Sequence, residues 1–206
     1  MNKAQVQSIL LNQLKFSKKN IDKLEIFHDE LLKYNKNYNL IANSTTDNIW
    51  CRHILDSAQI VKYIDFIDNE SLSDMGSGAG FPGIIIAIFN NNPRFHVKLY
   101  EKSKVKCNFL LLIKKALKIN FEIYDNDYQY HNINANYITC RAFKKLSEIM
   151  RISREIVKVN HKLIVLKGKN AETEINSLQQ KLNYRYDLKN SITDEESKII
   201  IMDVKN

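Results

Sequence analysis

Asp74-Met75-Gly76-Ser77-Gly78-Ala79-Gly80-Phe81-Pro82-Gly83 is the stretch on which the reading of this chain turns. The 206 residues contain only five glycines and two prolines, and four of those glycines and one proline fall here. Glycine loses more backbone freedom on folding than other residues, so it concentrates where φ must be positive or where a ligand approaches the main chain. Ser71 to Met75 reads as a short strand. Gly83 to Phe89 reads as an apolar helix, with Pro82 suited to its first turn. Strand, glycine loop and helix is the layout of a nucleotide-cofactor site in a doubly wound α/β fold.

Upstream, residues 3–35 are helical by their apolar spacing. Val6, Ile9, Leu10 and Leu14 form one stripe; Ile21, Leu24, Phe27, Leu31 and Leu32 form a second, with Lys18-Lys19-Asn20 as the link. Residues 34–40 read as a polar, aromatic loop. Thr46 and Asp47 offer caps for a helix through Trp50, Ile54, Leu55, Ala58 and Val61. Downstream, strands are expected at 71–75, 95–100, 121–124, 137–140 and 162–166, with helices at 103–118, 143–158 and 171–182 between them. Two strands, 184–189 and 198–204, follow back to back. Such alternation predicts a mostly parallel sheet with an antiparallel closing strand. The expected organisation is one α/β domain, 1–206, with a helical lead-in at 1–66 and a Rossmann-like core at 67–206.

Hydrophobic residues make up 44% and charged residues 26%, an ordinary globular balance. The longest apolar runs fall well short of the roughly 18–20 residues that span a bilayer, so no membrane partner is expected and the cytoplasm is the default location. Cys51, Cys107 and Cys140 are widely spaced, which argues against a disulfide framework or a structural zinc site; no metal is expected. The net charge of +8 is compatible with a polyanionic partner.

A dinucleotide loop has the spacing Gly-x-Gly-x-x-Gly. Here the spacing is Gly-x-Gly-x-Gly, and Phe81 stands where the third glycine of that pattern falls. This, with Asp74 in the preceding strand, suits a ligand without a pyrophosphate, of which S-adenosylmethionine (SAM) leads. Glu101, at the end of the second strand, is placed to accept hydrogen bonds from ribose hydroxyls. Asp127 follows the third strand and stands at the adenine edge.

The glycine run resembles the SAM motif of the bacterial small-subunit rRNA guanine-N7 methyltransferases, the glucose-inhibited division protein B family. Asn39-Leu40-Ile41, Arg52-His53-Ile54-Leu55-Asp56-Ser57, Cys140-Arg141-Ala142-Phe143 and Leu166-Lys167-Gly168 resemble further segments of that family in order and spacing. The resemblance runs from about residue 25 to the C-terminus. It implies a Rossmann-like, SAM-dependent enzyme that methylates one guanine of 16S rRNA at N7. Cofactor contacts are then expected at Asp74, Gly76, Gly78, Gly80, Phe81, Glu101, Asp127, Tyr128 and Arg141. The partner is expected to be 16S rRNA or the small ribosomal subunit, and the protein a monomer. The chain departs from the family pattern at Val105-Lys106 and at Asn126-Asp127-Tyr128. Two other readings stay open: a SAM enzyme of another substrate class, and a non-catalytic Rossmann module that binds RNA.

Guanine N7 carries a free lone pair, so its methylation needs no general base, and positioning supplies the rate. Arg141 is then either a fork donor to guanine O6 and a phosphate, or one half of an ion pair with Asp74 or another carboxylate. His53 is either a packed helix histidine, with Asp56 a neighbouring surface charge, or a contact to RNA or cofactor; it is also a catalytic candidate, although the chemistry does not require proton transfer from it. Lys167, ending the fifth strand, is expected at a phosphate. Cys140 reads as a buried strand cysteine rather than a nucleophile. Lysines and arginines at 102–106, 114–115, 144–145, 151–154 and 167–169 supply basic clusters, and Tyr34, Tyr38, Tyr128 and Tyr130 could stack on exposed bases.

Overall fold

The computed structural model describes residues 1–126, 131–179 and 185–205. Its centre is a seven-stranded sheet in the order β3-β2-β1-β4-β5-β7-β6. The strands are β1 (Ser71–Met75), β2 (His96–Tyr100), β3 (Glu122–Tyr124), β4 (Tyr137–Arg141), β5 (His161–Lys167), β6 (Tyr186–Asn190) and β7 (Lys198–Val204). β1 to β5 pair in parallel, with Asp74 beside both Leu99 and Thr139. β7 runs antiparallel between β5 and β6, so that Lys198 at its start lies against Lys167 at the end of β5. The sheet is therefore of the expected kind, mostly parallel with an antiparallel closing strand. The β6–β7 connection returns to the end of the sheet where the glycine loop lies.

Every residue of β1 is buried, as a central parallel strand covered on both faces requires. One face meets α4 (Gly83–Phe89) and α5 (Lys104–Leu117); the other meets α6 (Leu146–Ile156) and α7 (Ala171–Gln179). The lead-in, α1 (Lys3–Asn12) and α2 (Lys18–Tyr38), packs into the first of these cores. Phe27 of α2 lies 5.2 Å from Phe81 and 6.2 Å from Phe109 between ring centroids. Burying a ring of this size stabilises by about 1.5–3 kcal/mol, so the lead-in is fixed to the glycine-loop half rather than appended to it.

Three local expectations are corrected. Lys18-Lys19-Asn20 does not separate the first two helices; it opens α2. Ser17 is the cap, and Asn20 is the third residue of a capping box whose side chain also donates to the carbonyl of Ile88. The break lies at 13–17, where Lys15 has φ +62°. The stretch expected as a loop from residue 34 stays helical to Tyr38, because Tyr34 packs on Phe109 and Asn35 turns inward to accept from the Ile41 N–H. Residues 43–63 form no single helix but a chain of short turns: 3₁₀ at Asn43–Asn48, π at Trp50–Leu55, α3 (Asp56–Ala58), and 3₁₀ at Gln59–Tyr63. Thr46, expected as a cap, instead donates its hydroxyl back to the carbonyl of Asn43, and no side chain caps the turn at Trp50–Leu55.

Candidate active site

The loop after β1 holds Gly76, Gly78 and Gly80 at φ +68°, +59° and +94°. Their surroundings differ. A Cβ on Gly80 would stand 2.3 Å from Ile84 Cδ1, and one on Gly76 would stand 2.5 Å from the ring of Phe143. A Cβ on Gly78 would meet nothing nearer than the Gly76 carbonyl at 3.8 Å. Gly80 and Gly76 therefore let the chain pack against itself, whereas Gly78 borders open space. Glu101, buried just beyond β2, accepts from the Gly78 N–H at 2.9 Å through Oε2 and from the Ser103 N–H at 2.8 Å through Oε1.

Asp74 is not on the open side of this loop. Its carboxylate is fully buried and accepts from the Gly83 N–H at 3.0 Å and the Thr139 hydroxyl at 3.1 Å. Burial pushes its pKa up to about 6, against the pull of those bonds. Asp74 thus joins β1, β4 and the start of α4 and shapes the loop from behind. The Phe81 ring is also enclosed, 3% exposed, between Phe27, the His53 ring at 5.2 Å and the Arg141 guanidinium at 5.0 Å. Asp127 and Tyr128, expected at the adenine, lie outside the described residues, as does Tyr130.

Arg141 ends β4 and reaches the lead-in. One terminal nitrogen stands 3.4 Å from Asp56 Oδ2 and donates to the Arg52 carbonyl; the other lies 2.8 Å from His53 Nδ1. Of the alternatives for Arg141, the ion pair is present, with Asp56 as partner. A guanidinium only donates, so His53 Nδ1 is the acceptor and the ring proton sits on Nε2, which donates to Thr45 Oγ1 at 2.8 Å. Burial, followed by the charges of Arg141 and Arg52, lowers the His53 pKa to about 3, so the imidazole is neutral at physiological pH.

Asp56, expected as a surface charge, is instead largely enclosed. Its side chain is 17% exposed and also accepts from Gln59 and Thr193. Gln59 is fully buried and bonds Ser191 and the Ile192 N–H, which ties the β6–β7 loop to the lead-in. The packed reading of His53 fits its ring; a cavity of about 270 Å³ nevertheless opens beside it, bordered by Arg52, Arg141, Ala142, Gly168, Asp194 and Ser197. Ala142 has φ +49°, a left-handed backbone that costs an L-residue about 1–2 kcal/mol. It sends Arg141 toward the lead-in and Phe143 over Gly76.

Lys167 does not present a free ammonium. It pairs with Glu174 at 2.8 Å and donates to the Lys144 carbonyl at 2.6 Å, with its side chain 14% exposed. Other basic clusters are paired on the surface: Arg151 with Glu155, and Lys144 with Glu148, one helical turn on. Among the described residues no ion pair engages Lys102, just before α5, or Lys104 and Lys106 in its first turn, beside Glu101. Tyr38 is 48% exposed and lies tilted against Tyr34 at 4.7 Å between ring centroids, and the Tyr34 hydroxyl is 3.5 Å from the Val105 carbonyl. Cys140 is completely buried, and burial raises its thiol pKa, which leaves no thiolate there. Among the described residues no helix is long and apolar enough to cross a membrane.

The glycine loop, Glu101, Arg141 and the cavity all sit at the carboxyl ends of the parallel strands, where open α/β sheets take ligands. Solved structures share this architecture. A SAM-dependent methyltransferase from Aquifex aeolicus superposes with a TM-score of 0.59 at 15% identity, over 84% of this chain and 96% of its own. Fibrillarin from Aeropyrum pernix, solved with natively bound S-adenosyl-L-methionine, does so with a TM-score of 0.54 at 12% identity, over 68% and 69%. The fold is that of the Rossmann-like, SAM-dependent methyltransferases. Within that class, residues 20–200 match the family model of rRNA small subunit methyltransferase G (GidB). Enzymes of that name from Rickettsia akari and Rickettsia felis are 40% and 41% identical, over 91% and 87% of this chain and 95% and 91% of theirs. The chain belongs to the rRNA small subunit methyltransferase G family.

Proposed function

We propose that this chain transfers the methyl group of S-adenosylmethionine to N7 of one guanine in 16S rRNA. One observation carries the reading: the open face of Gly78, beside buried Glu101, shares a sheet end with a base-sized cavity bordered by Arg141, in a chain of this family. SAM fits the residues present, since a left-handed glycine with empty space at its Cβ position admits a ligand against the main chain. The main chain at Gly76, Gly78 and Gly80 would take the methionine portion and Glu101 the ribose hydroxyls, with Asp127 and Tyr128 on the adenine side. Asp74 and the Phe81 ring hold that loop in shape from within.

Bound SAM supplies an electrophilic methyl group on a sulfonium. N7 attacks with its own lone pair, so no side chain has to remove a proton. The neutral His53, with both nitrogens engaged, accordingly serves as a brace. It fixes the plane of the Arg141 guanidinium, whose Nε is buried and without a partner among the described residues. Alignment of this kind contributes roughly 7–11 kcal/mol over free encounter. Lys102, Lys104 and Lys106 are placed to meet the RNA backbone, where each phosphate contact makes binding salt-dependent.

The lead-in, residues 1–66, and the core, residues 67–206, work as one domain, as a monomer in the cytoplasm where small subunits are assembled. The test is transfer of labelled methyl groups from SAM to small subunits that lack this modification, with large subunits as control. Label confined to the small subunit is expected; label on neither particle would remove the proposed activity.

A further inference from the structure

The cavity bordered by Arg141 has an outer wall that the proposed chemistry has not used. Asp194, in the β6–β7 loop, stands on it. Asp194 Oδ1 is occupied, accepting from the N–H groups of Glu196 and Ser197 at 2.9 and 3.1 Å, which fixes the side chain on its turn. Oδ2 has no hydrogen bond among the described residues and faces Arg52 Nη1 at 3.8 Å, beyond bonding distance. The loop itself is held by the buried Gln59 and by Thr193 bonded to Asp56, so Asp194 is presented from a braced segment.

Sheet order sets the direction in which a base must lie. The glycine loop follows β1, whereas the β6–β7 loop lies beyond β4 and β5 from it. A guanine whose N7 points toward the glycine loop turns its far corner, where the 2-amino group and N1–H lie, away from that loop and toward the β6–β7 loop. Both groups at that corner are donors, and O6, on the other side of N1 next to N7, is an acceptor. A carboxylate oxygen with a guanidinium next to it has the complementary polarity. Adenine would turn an N1 lone pair to the carboxylate instead. A cavity of about 270 Å³ is at the small end of ligand sites, which suits one extruded heterocycle read along its Watson–Crick edge.

Resting on the methyltransferase reading above, we propose that Asp194 is the guanine-reading residue of this site. Its Oδ2 accepts from N1–H and the 2-amino group, while Arg52 meets O6. The Arg52–Asp194 gap is the seat of that edge.

The test is a cycle of protein and base changes. Asp194→Asn keeps the Oδ1 acceptor that holds the turn but replaces Oδ2 with an amide donor. Small subunits are reconstituted with 16S rRNA ligated to carry either guanine or inosine, which lacks the 2-amino group, at the methylated position. Single-turnover rates with enzyme in excess over subunits but below saturation give kcat/KM for each. Wild type should prefer guanine by about 5- to 150-fold, the range expected for one well-made base contact. In Asp194→Asn that preference should fall to near unity, with an overall loss on guanine and unchanged SAM affinity by calorimetry. A variant that loses rate equally on both bases, keeping the wild-type preference, would overturn the assignment and leave Asp194 a purely structural residue. Absence of transfer by wild type to the guanine subunits would instead overturn the parent activity, and the pocket assignment with it.

Discussion

Adding one methyl group at Gly78 separates the cradle from the scaffold. In Gly78→Ala the new Cβ meets no atom closer than 3.8 Å, so no clash is introduced. The cost to folding is the left-handed φ of +59°, about 1–2 kcal/mol for an L-residue. For a chain of this size each kcal/mol lowers Tm by about 2–4 °C, so a fall of about 2–8 °C is expected. Binding should suffer separately, because the Cβ occupies the space proposed for the cofactor. Overpacking by one carbon costs about 1–3 kcal/mol, a rise in the Kd for SAM of about 5- to 150-fold. Gly83→Ala is the contrast: its Cβ would lie 2.1 Å from Leu99 Cδ2 and 2.8 Å from Asp74 Oδ2, inside the core. It should unfold at distinctly lower urea, while the folded fraction keeps most of its SAM affinity. Calorimetric titration with SAM and urea denaturation of both variants check this. Wild-type affinity in Gly78→Ala together with lost affinity in folded Gly83→Ala would refute the placement of the cofactor.

The acid limb of stability should carry His53 and Asp74 with opposite signs. His53 stays neutral in the folded state down to about pH 3, while the unfolded chain takes up its proton near 6.5. Its contribution is thus complete above about pH 6.5 and falls as pH drops, by about 1.4 kcal/mol per unit. Asp74, raised to about 6, binds its proton first in the folded state and offsets that fall between 6 and 3.8. Denaturation midpoints against pH should therefore show a flatter acid limb in His53→Gln and a steeper one in Asp74→Asn; identical profiles would mean neither group is held as described. Arg141→Ala should cost about 3–5 kcal/mol of stability, the usual penalty for stripping a partner from an enclosed ion pair, besides abolishing methyl transfer. An unchanged urea midpoint would show that the Asp56 pair is not formed. Lys167→Gln should lower stability through Glu174 and leave the salt dependence of RNA binding as in wild type, whereas a shallower salt slope would restore the phosphate contact expected from sequence.

The strands and the glycine loop were legible because their signals are local: alternating apolar runs, and glycines where nothing else tolerates the backbone. The second wall of the site was harder. His53 and Asp56 are three apart in a helical stretch, which already places them on one side, yet the charge reads as solvent-facing because its partner Arg141 comes 85 residues later. Thr193 and Asp194 carry no local mark at all; only the antiparallel return of β7 along β5 brings their loop to the strand ends. Part of the basic charge is neutralised within single helices. Lys144 with Glu148 and Arg151 with Glu155 have the one-turn spacing of helix pairs, so their neutralisation could have been read directly. Asn20 reads as part of a polar link, yet it is the capping-box partner that starts the helix. The left-handed turn at Ala142 was invisible, because nothing in an alanine announces a positive φ.

The most direct measurement is the site of the label. Small subunits lacking the modification are incubated with enzyme and labelled SAM, the 16S rRNA is digested, and the labelled fragment is sequenced by mass. The account requires one 7-methylguanosine at a single position, absent when Arg141→Ala replaces wild type. Label on a base other than guanine, on a ring atom other than N7, or spread over many positions would contradict it.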